Sequence, residues 1–171
     1  DKATVDIALK AALTGHLVFS TLHTNDAPSS ITRLINMGTP NYLISAALTL
    51  IMAQRLARKS CLDCRIIDEN ITPKLLNSIG FLPEQSARAK IYKGTGCEQC
   101  SGSGYRGRMG IYEILEVDNE LKAGILSNLQ QTELNAIAKK NGFKTMQDMG
   151  QDLLLSGDLS FAEYERVLQS S

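Results

Sequence analysis

Two pairs of cysteines constrain the fold of this chain more than any other sequence feature. Cys61 and Cys64 form one C-x2-C pair, Cys97 and Cys100 form a second, and residues 65–96 separate the pairs. A C-x2-C turn lets two thiolates converge on one tetrahedral zinc ion, about 2.3 Å from each sulfur. Four cysteine ligands leave no open coordination position. We therefore predict a structural zinc that stabilises a small module and takes no part in chemistry.

Two other uses of the four cysteines stay open at this stage. Disulfides would need an oxidising compartment. The first residues, DKATVD, lack an initiating Met and the basic-then-apolar pattern of a signal peptide, so we expect no export and a chain cut from a longer one. Four buried or redox-active thiols are the second alternative.

Charge and length exclude some classes of protein. The 18 Lys and Arg balance 18 Asp and Glu, so the overall charge predicts neither nucleic acid nor an anionic membrane as the main partner. The longest apolar run, Tyr42 to Ala53, is interrupted by Ser45 and Thr49 and is shorter than the roughly 20 residues of a membrane span. We expect no transmembrane helix, and 171 residues allow one sizeable core or two small ones.

The N-terminal third has the pattern of an α/β layer. Apolar residues recur at helical spacing from Thr4 onward, and Gly15 follows where a helix would end. The next residues, HLVFSTL, are β-rich and mostly apolar, which predicts a buried strand of a parallel sheet. Asn25 or Asp26 is expected to cap the helix that follows.

The rest of the chain divides at the cysteine module. A long helix is predicted after Pro40, through the apolar run, to about Ala57. The glycine-rich segment SGSGYRGRMG, residues 101–110, is predicted to be irregular, and IYEILEV after it to be a strand. Helices are expected from Asp118 onward, the last one opening with Ser160 and Glu163 in capping-box spacing.

Both histidines of the chain lie at the ends of the predicted strand. His16 and His23 are seven residues apart, so in a regular strand their side chains point to opposite faces, about 23 Å apart. They cannot share one metal ion or one reacting bond. Ligands of open α/β sheets bind beyond the carboxyl ends of the strands, where His23 lies with Thr21, Thr24 and Asn25. His23 is the candidate ligand-side residue, with a purely structural histidine as the alternative. His16 is expected to cap the preceding helix or to face a neighbour.

Four stretches resemble the bacterial ATPases that drive type II secretion and type IV pilus assembly: ALTGHLVFSTLHTNDA, RLINMG, AQRLARKSCLDC and GCEQCSGSGYRGRMGIYEIL. The resemblance covers nearly the whole chain. It implies a RecA-like P-loop ATPase that assembles as a hexamer on the cytoplasmic side of the inner membrane. Its implied partners are the membrane proteins of a secretion or pilus platform.

The resemblance also implies roles for single residues. His16 and His23 match the two histidines of the family's His box and become the candidate catalytic residues, His23 near the terminal phosphate of ATP. Thr21 becomes a candidate nucleotide contact, and Arg108 matches an arginine expected near the adenine. The four cysteines match the zinc ligands of the family. Pilus-retraction ATPases resemble the His box but lack the cysteine module, so assembly ATPases are favoured.

Some parts of such an ATPase are absent from these 171 residues. The sequence contains no phosphate-binding loop of the type G-x-x-x-x-G-K-[ST] and no acidic strand end that would hold Mg²⁺. ATP and Mg²⁺ are therefore expected to be cofactors of the intact protein. The chain alone is expected neither to bind ATP tightly nor to hydrolyse it.

A non-enzymatic module is the alternative function. CEQCSGSG matches the C-x-x-C-x-G-x-G unit that DnaJ-type chaperones repeat four times, but only one unit is present and CLDCRIID lacks the glycines. We therefore predict an α/β fold: the C-terminal portion of a RecA-like ATPase domain in residues 1–58, a tetracysteine zinc-binding subdomain in residues 59–110, and a strand with a C-terminal helical bundle in residues 111–171.

Overall fold

The computed structural model describes residues 2–169 of the chain. The helices are α1 (Lys2–Leu13), α2 (Ala27–Asn36), α3 (Asn41–Ala47), α4 (Pro73–Ser78), α5 (Pro83–Ser86), α6 (Asn119–Leu126), α7 (Gln131–Lys140), α8 (Met146–Ser156) and α9 (Phe161–Tyr164). The strands are β1 (Leu50–Ser60), β2 (Arg65–Ile67), β3 (Tyr92–Gly94) and β4 (Tyr105–Glu116). A 3-10 turn covers Glu98–Cys100 and a π-helical turn covers Glu165–Gln169. This mixture confirms the predicted α/β class.

The chain divides into two compact units, and each unit is built from two separate segments. Unit 1 contains the residues up to Ala53 together with Glu113–Thr145, and unit 2 contains Gln54–Tyr112 together with the residues from Met146 onward. Strand β1 pairs with β4, and β2 pairs with β3 in antiparallel register, Ile66 facing Lys93. The three consecutive regions proposed from the sequence stay a prediction.

Unit 1 has its own hydrophobic core, contributed by helices and by the end of β4. Apolar faces at helical spacing are expected to bury one stripe of each helix, and the buried positions of α2 follow that rule. The fully packed members of the core are Ala27, Ile31, Leu34, Ile44, Leu115, Val117, Leu121, Ile125, Leu134 and Ala138.

The predicted C-terminal helices are confirmed, and their ends follow the local chemistry of the sequence. Helix α7 ends before Gly142, whose φ of +90° suits glycine, and α8 ends before Gly157 at φ +74°. The Ser160 side chain caps α9 by accepting a hydrogen bond from the Glu163 N–H at 3.3 Å. The Glu163 side chain is used elsewhere, as described below.

The strand predicted for HLVFSTL is absent from the structure. Residues 16–24 form no regular element, and Leu17 and Phe19 are 82% and 88% exposed. A strand is stable only when its N–H and C=O groups pair with a neighbouring strand. Among residues 2–169 no strand pairs with this segment. The apolar pattern of the segment is typical of a strand, but the described residues include no strand that pairs with it.

The long helix predicted from Pro40 to about Ala57 is also wrong. Helix α3 ends at Ala47 after seven residues, and β1 follows from Leu50. Along β1 exposed and half-buried residues alternate, as a strand requires, and the strand pairs with β4. Tertiary pairing has overridden a sequence whose composition also suits a helix.

The glycine-rich segment predicted to be irregular is partly regular. Strand β4 begins at Tyr105 and includes RGRMG. The glycines are needed for close backbone approach at one point: a Cβ on Gly94 would lie 2.1 Å from the carbonyl oxygen of Gly104. IYEILEV is a strand up to Glu116, as predicted.

The helices are short for a bilayer. Between residues 2 and 169 none is both long and apolar enough to cross a membrane.

Candidate functional site

The four cysteines converge into one cluster within unit 2. Their sulfur atoms all lie within 4.8 Å of one another. The Cys61 and Cys97 sulfurs are 3.9 Å apart, those of Cys64 and Cys100 are 3.8 Å apart, and those of Cys97 and Cys100 are 3.7 Å apart. Four ligands at about 2.3 Å from a tetrahedral zinc would be separated by about 3.8 Å. The spacing fits a metal and is far from the roughly 2 Å of a disulfide.

Backbone geometry positions the cluster. Strands β2 and β3 bring the chain from the first cysteine pair back to the second. The second pair lies on the 3-10 turn, where the Cys97 and Gly104 N–H groups both donate to the Cys100 sulfur at 3.2 Å. Amide donors of this kind stabilise a thiolate, which is the form that binds metal.

The two cysteines of the second pair have opposite pKa shifts. The backbone N–H of Cys97, helped by that of Gly104, outweighs the effect of burial and lowers the pKa of the Cys100 thiol to about 6. Burial raises the pKa of the Cys97 thiol to about 11, together with hydrogen bonds from the other three thiols. Four thiols this close cannot all ionise without a cation among them, because like charges disfavour one another.

His16 lies at the end of helix α1, as expected. Its backbone N–H donates to the Ala11 carbonyl at 3.2 Å, and its Nδ1 lies 3.0 Å from the Thr14 hydroxyl oxygen. Both contacts belong to the last turn of the helix, which Gly15 ends at φ +91°. The contacts of His16 are those of a helix-terminating residue.

His23 is exposed and precedes a turn that is held at three points. The Thr24 hydroxyl lies 2.8 Å from that of Ser30, and the Asp26 carboxylate accepts the Ser29 N–H at 2.7 Å, which caps α2. Thr21, before it, is exposed as well. The side chains of Thr21 and His23 have no hydrogen-bond partner within the described part of the chain.

The third point is a carboxylate from a distant strand. The buried Glu113 of β4 accepts the Ala27 N–H through Oε1 at 2.6 Å, across 86 residues of sequence. An anion at the first turn of a helix is stabilised by the orphan N–H groups and by the helix dipole. The turn after His23 is therefore held both by a neighbouring residue, Asp26, and by a residue distant in sequence, Glu113.

Arg108 lines an open pocket in unit 2. The pocket has a volume of about 440 Å³, and its walls are Leu56, Ala57, Arg58, Arg108 and Arg166. Arg58 and Arg166 both form ion pairs with Glu163. Arg108 has no acidic partner among residues 2–169. An apolar wall beside guanidinium planes suits a planar aromatic group, because guanidinium groups stack on aromatic faces.

Sequence reasoning missed Glu113 and Glu163. Glu113 occupies an inward position between Ile111 and Leu115, so its signal was a charge on the buried face of an alternating strand. The spacing of Glu163 from Ser160 predicts only a local role, that of a capping box. Their true partners lie 86 and 105 residues away, a distance that spacing rules do not reach.

Unit 1 contains the capped turn after His23, unit 2 contains the four-cysteine cluster, and the fold that positions both is of the α/β class. The family model described as "Type II/IV secretion system protein" matches residues 1–166. The chain belongs to this family.

Several relatives match almost the whole chain. The type IV pilus assembly ATPase PilB of Thermus thermophilus is 43% identical over 163 residues, which are 95% of this chain and 18% of that protein. PilB of Pseudomonas aeruginosa is 40% identical and matches 98% of this chain and 29% of its own length. A putative type II secretion system protein E of Escherichia coli is 39% identical and matches 100% and 34%. The chain thus spans between about a fifth and a third of these relatives.

A solved structure shares the fold. The pilus retraction motor PilT with bound ADP matches with a TM-score of 0.62 and 23% sequence identity, over 100% of this chain and 37% of that one. At this level of identity the match concerns the fold alone.

Proposed function

We propose that this chain is the C-terminal part of a hexameric, RecA-like ATPase that powers type II secretion or type IV pilus assembly. The observation that carries the proposal is the identity of about 40% to assembly ATPases and to a type II secretion protein E along 95–100% of the chain. The intact protein would act on the cytoplasmic side of the inner membrane, on its platform proteins. The comparisons do not favour the chaperone-like zinc module.

ATP and Mg²⁺ would be held mainly by residues outside these 171. The chain contains no phosphate-binding loop, and without the glycine loop and its lysine the β- and γ-phosphates have no cradle. The candidate nucleotide contacts that the chain would contribute are His23, Thr21 and Arg108. The isolated chain should therefore show no ATP turnover above background.

The exposed segment 16–22 supports an assignment to the ATPase sheet. Leu17 and Phe19 are large apolar side chains in solvent, next to a turn that is itself firmly held. Pairing with strands of the intact domain would bury them and satisfy the free backbone groups. Such pairing would place His23 at the carboxyl end of a strand, where open α/β sheets bind their ligands.

In this arrangement His23 acts as a sensor of the terminal phosphate or of the attacking water. The fixed turn after it, held by Asp26 and Glu113, would transmit a shift of His23 to helix α2. Thr21 would contact the nucleotide from the same segment, and Arg108 would lie beside the adenine. His16, bonded within the last turn of α1, has the more structural role.

Zinc would be held by Cys61, Cys64, Cys97 and Cys100. The sulfur separations of 3.7–3.9 Å support this ligand set. With four thiolate ligands the metal supplies no open site. It would stabilise the strands β2 and β3 and the loop between the cysteine pairs.

Steady-state ATP hydrolysis by the full-length protein tests the proposal. We expect His23→Ala to lower kcat about 100-fold, because His23 faces the reacting phosphate, and His16→Ala to lower it less. Equal or reversed effects of the two substitutions would contradict the assigned roles. Robust hydrolysis by the isolated chain would show that the missing parts were misjudged.

A further inference from the structure

Glu163 contacts two of the three arginines that line the Arg108 pocket, although it does not line the pocket itself. Its side chain is 0% exposed, whereas those of Arg58 and Arg166 are 48% and 53% exposed. A buried carboxylate thus lies behind two guanidinium groups that reach the pocket surface. Charged residues are rarely buried unless they are paired, and Glu163 is paired with both arginines.

Both carboxylate oxygens are occupied. Oε1 accepts the Arg58 backbone N–H at 2.7 Å and a hydrogen bond from Arg166 Nη2. Oε2 accepts Arg58 Nε at 3.0 Å, Arg58 Nη2 at 2.7 Å and Arg166 Nε at 2.8 Å. Two planar forks share one carboxylate, and charge-assisted forks fix orientation as well as position. The arginine planes are therefore held as walls.

Arg58 has a second support besides Glu163. The Arg58 guanidinium carbon lies 4.1 Å from the centre of the Tyr105 ring, within the range of a cation–π contact. The Tyr105 hydroxyl lies 3.0 Å from Ser160 Oγ, and Ser160 caps the helix that carries Glu163. Arg58 is held at its edge by Glu163 and on one face by Tyr105. The remaining cation of the pocket, Arg108, has no carboxylate to hold it among the residues that the structure describes.

We propose that Glu163 is a positioning residue for the nucleotide pocket: it holds Arg58 and Arg166 as fixed, charge-compensated walls and leaves Arg108 to bind the base of ATP. The proposal rests on the nucleotide role proposed above for Arg108. Without the carboxylate, three like charges would face one cavity, and two flexible arginines would be free to enter the space of the ligand. The affinity for ATP would fall, and the rate of the chemical step would stay nearly unchanged.

Nucleotide affinity of the full-length protein is the measurement. We expect Glu163→Gln to raise the KM for ATP about tenfold and to weaken binding of a fluorescent ATP analogue in parallel, with kcat at saturating ATP within about twofold of the wild type. Glu69→Gln removes the same charge from an exposed position and is the matched control. Arg166→Met removes one of the two guanidinium groups paired with Glu163, at a half-exposed position. If Glu163→Gln fails to fold, Arg166→Met is expected to change KM in the same way.

Arg108→Ala separates the two proposals. If Arg108→Ala raises KM and Glu163→Gln or Arg166→Met raises it too, the positioning role is supported. If Arg108→Ala raises KM while a folded Glu163→Gln only lowers the melting temperature, the positioning role is wrong and the pocket assignment stands. If Arg108→Ala leaves KM unchanged, the pocket does not bind the nucleotide and both assignments fail.

Discussion

Short motifs predict both the cysteine cluster and the His23 segment, but the two regions differ in how many of their contacts the described residues provide. The four sulfurs meet within 4.8 Å, with backbone amides directed at Cys100. His23 follows a segment whose large apolar residues are exposed, and its side chain has no hydrogen-bond partner in residues 2–169. The first site is assembled by this chain alone. The second leaves the side chains of Thr21 and His23 exposed, and its ligand is part of the proposal made above.

The difference shows which of the two sites can be tested in the isolated chain. A four-ligand metal site carries its own folding energy, so its chemistry is independent of residues elsewhere. A strand edge carries free hydrogen-bonding groups and becomes stable only when paired. Perturbing the cluster should therefore damage the isolated chain, and perturbing the His23 segment should not.

Removal of a cysteine ligand should have the largest effect. We expect about one zinc per chain, and Cys61→Ser or treatment with a strong chelator should unfold the segment between the cysteine pairs, because structural zinc contributes about 10 kcal/mol or more of apparent binding free energy. Metal analysis and limited proteolysis measure both. Leu62→Ala, an exposed residue of the same turn, is the control. A stably folded, metal-free preparation would show that the isolated chain does not depend on metal at the cysteine cluster, and would contradict the predicted difference between the two sites.

Acid should weaken unit 2 through Glu163. Burial raises the pKa of this carboxyl, but hydrogen bonds from Arg166 and Arg58 outweigh it and lower the pKa from 4.5 to about 2. A depressed folded pKa contributes stability that is present above about pH 4.5 and lost as the pH falls toward 2, here about 3 kcal/mol. Urea unfolding at pH 7, 5 and 3 should show the free-energy difference between wild type and Glu163→Gln shrinking. Both proteins lose any metal equally, so the difference isolates the carboxyl. A difference that stays constant from pH 7 to pH 3 would refute the assignment.

Local chemistry made much of this fold predictable. Asp26 and Ser160 cap helices, and glycines end α1, α7 and α8, because such signals act within a few residues. Strand β1 was mistaken for the end of a helix because its partner, β4, lies some fifty residues further along the chain. The strand predicted for HLVFSTL is absent for a related reason: no strand among residues 2–169 pairs with it.

The residues of the candidate sites also divide into those that the local sequence predicts and those that it does not. The cysteine set could be predicted because metal geometry fixes ligand type and spacing. Glu113 and Glu163 could not, because what defines each is a partner brought near by folding: the Ala27 N–H for one and the Arg58 fork for the other. The one sequence signal by which Glu113 could have been found is a charged residue between the apolar Ile111 and Leu115.

Loss of the Glu113 carboxylate should have a smaller effect, confined to unit 1. Glu113→Gln keeps an acceptor for the Ala27 N–H but removes the negative charge at the start of α2, which should cost about 1 kcal/mol. Chemical denaturation of the isolated chain measures the loss. Glu116→Gln, exposed on the same strand, is the matched control and should change stability by less than about 0.5 kcal/mol. Equal effects of the two substitutions would show that the hydrogen bond from the Ala27 N–H to Glu113 does not stabilise the turn after His23.

Phe19 should give the smallest effect in the isolated chain and the sharpest contrast between contexts. Its side chain is 88% exposed, so Phe19→Ser should change the stability of this chain by less than about 0.5 kcal/mol. In the full-length protein the same substitution should cost about 3 kcal/mol or more, because the proposed strand would be buried on both faces. Phe161→Ser, at a residue only 5% exposed, should destabilise both proteins alike. Thermal unfolding of the four variants decides the matter. If Phe19→Ser is equally harmless in the full-length protein, segment 16–22 is a surface loop, and the placement of His23 at a strand end falls with it.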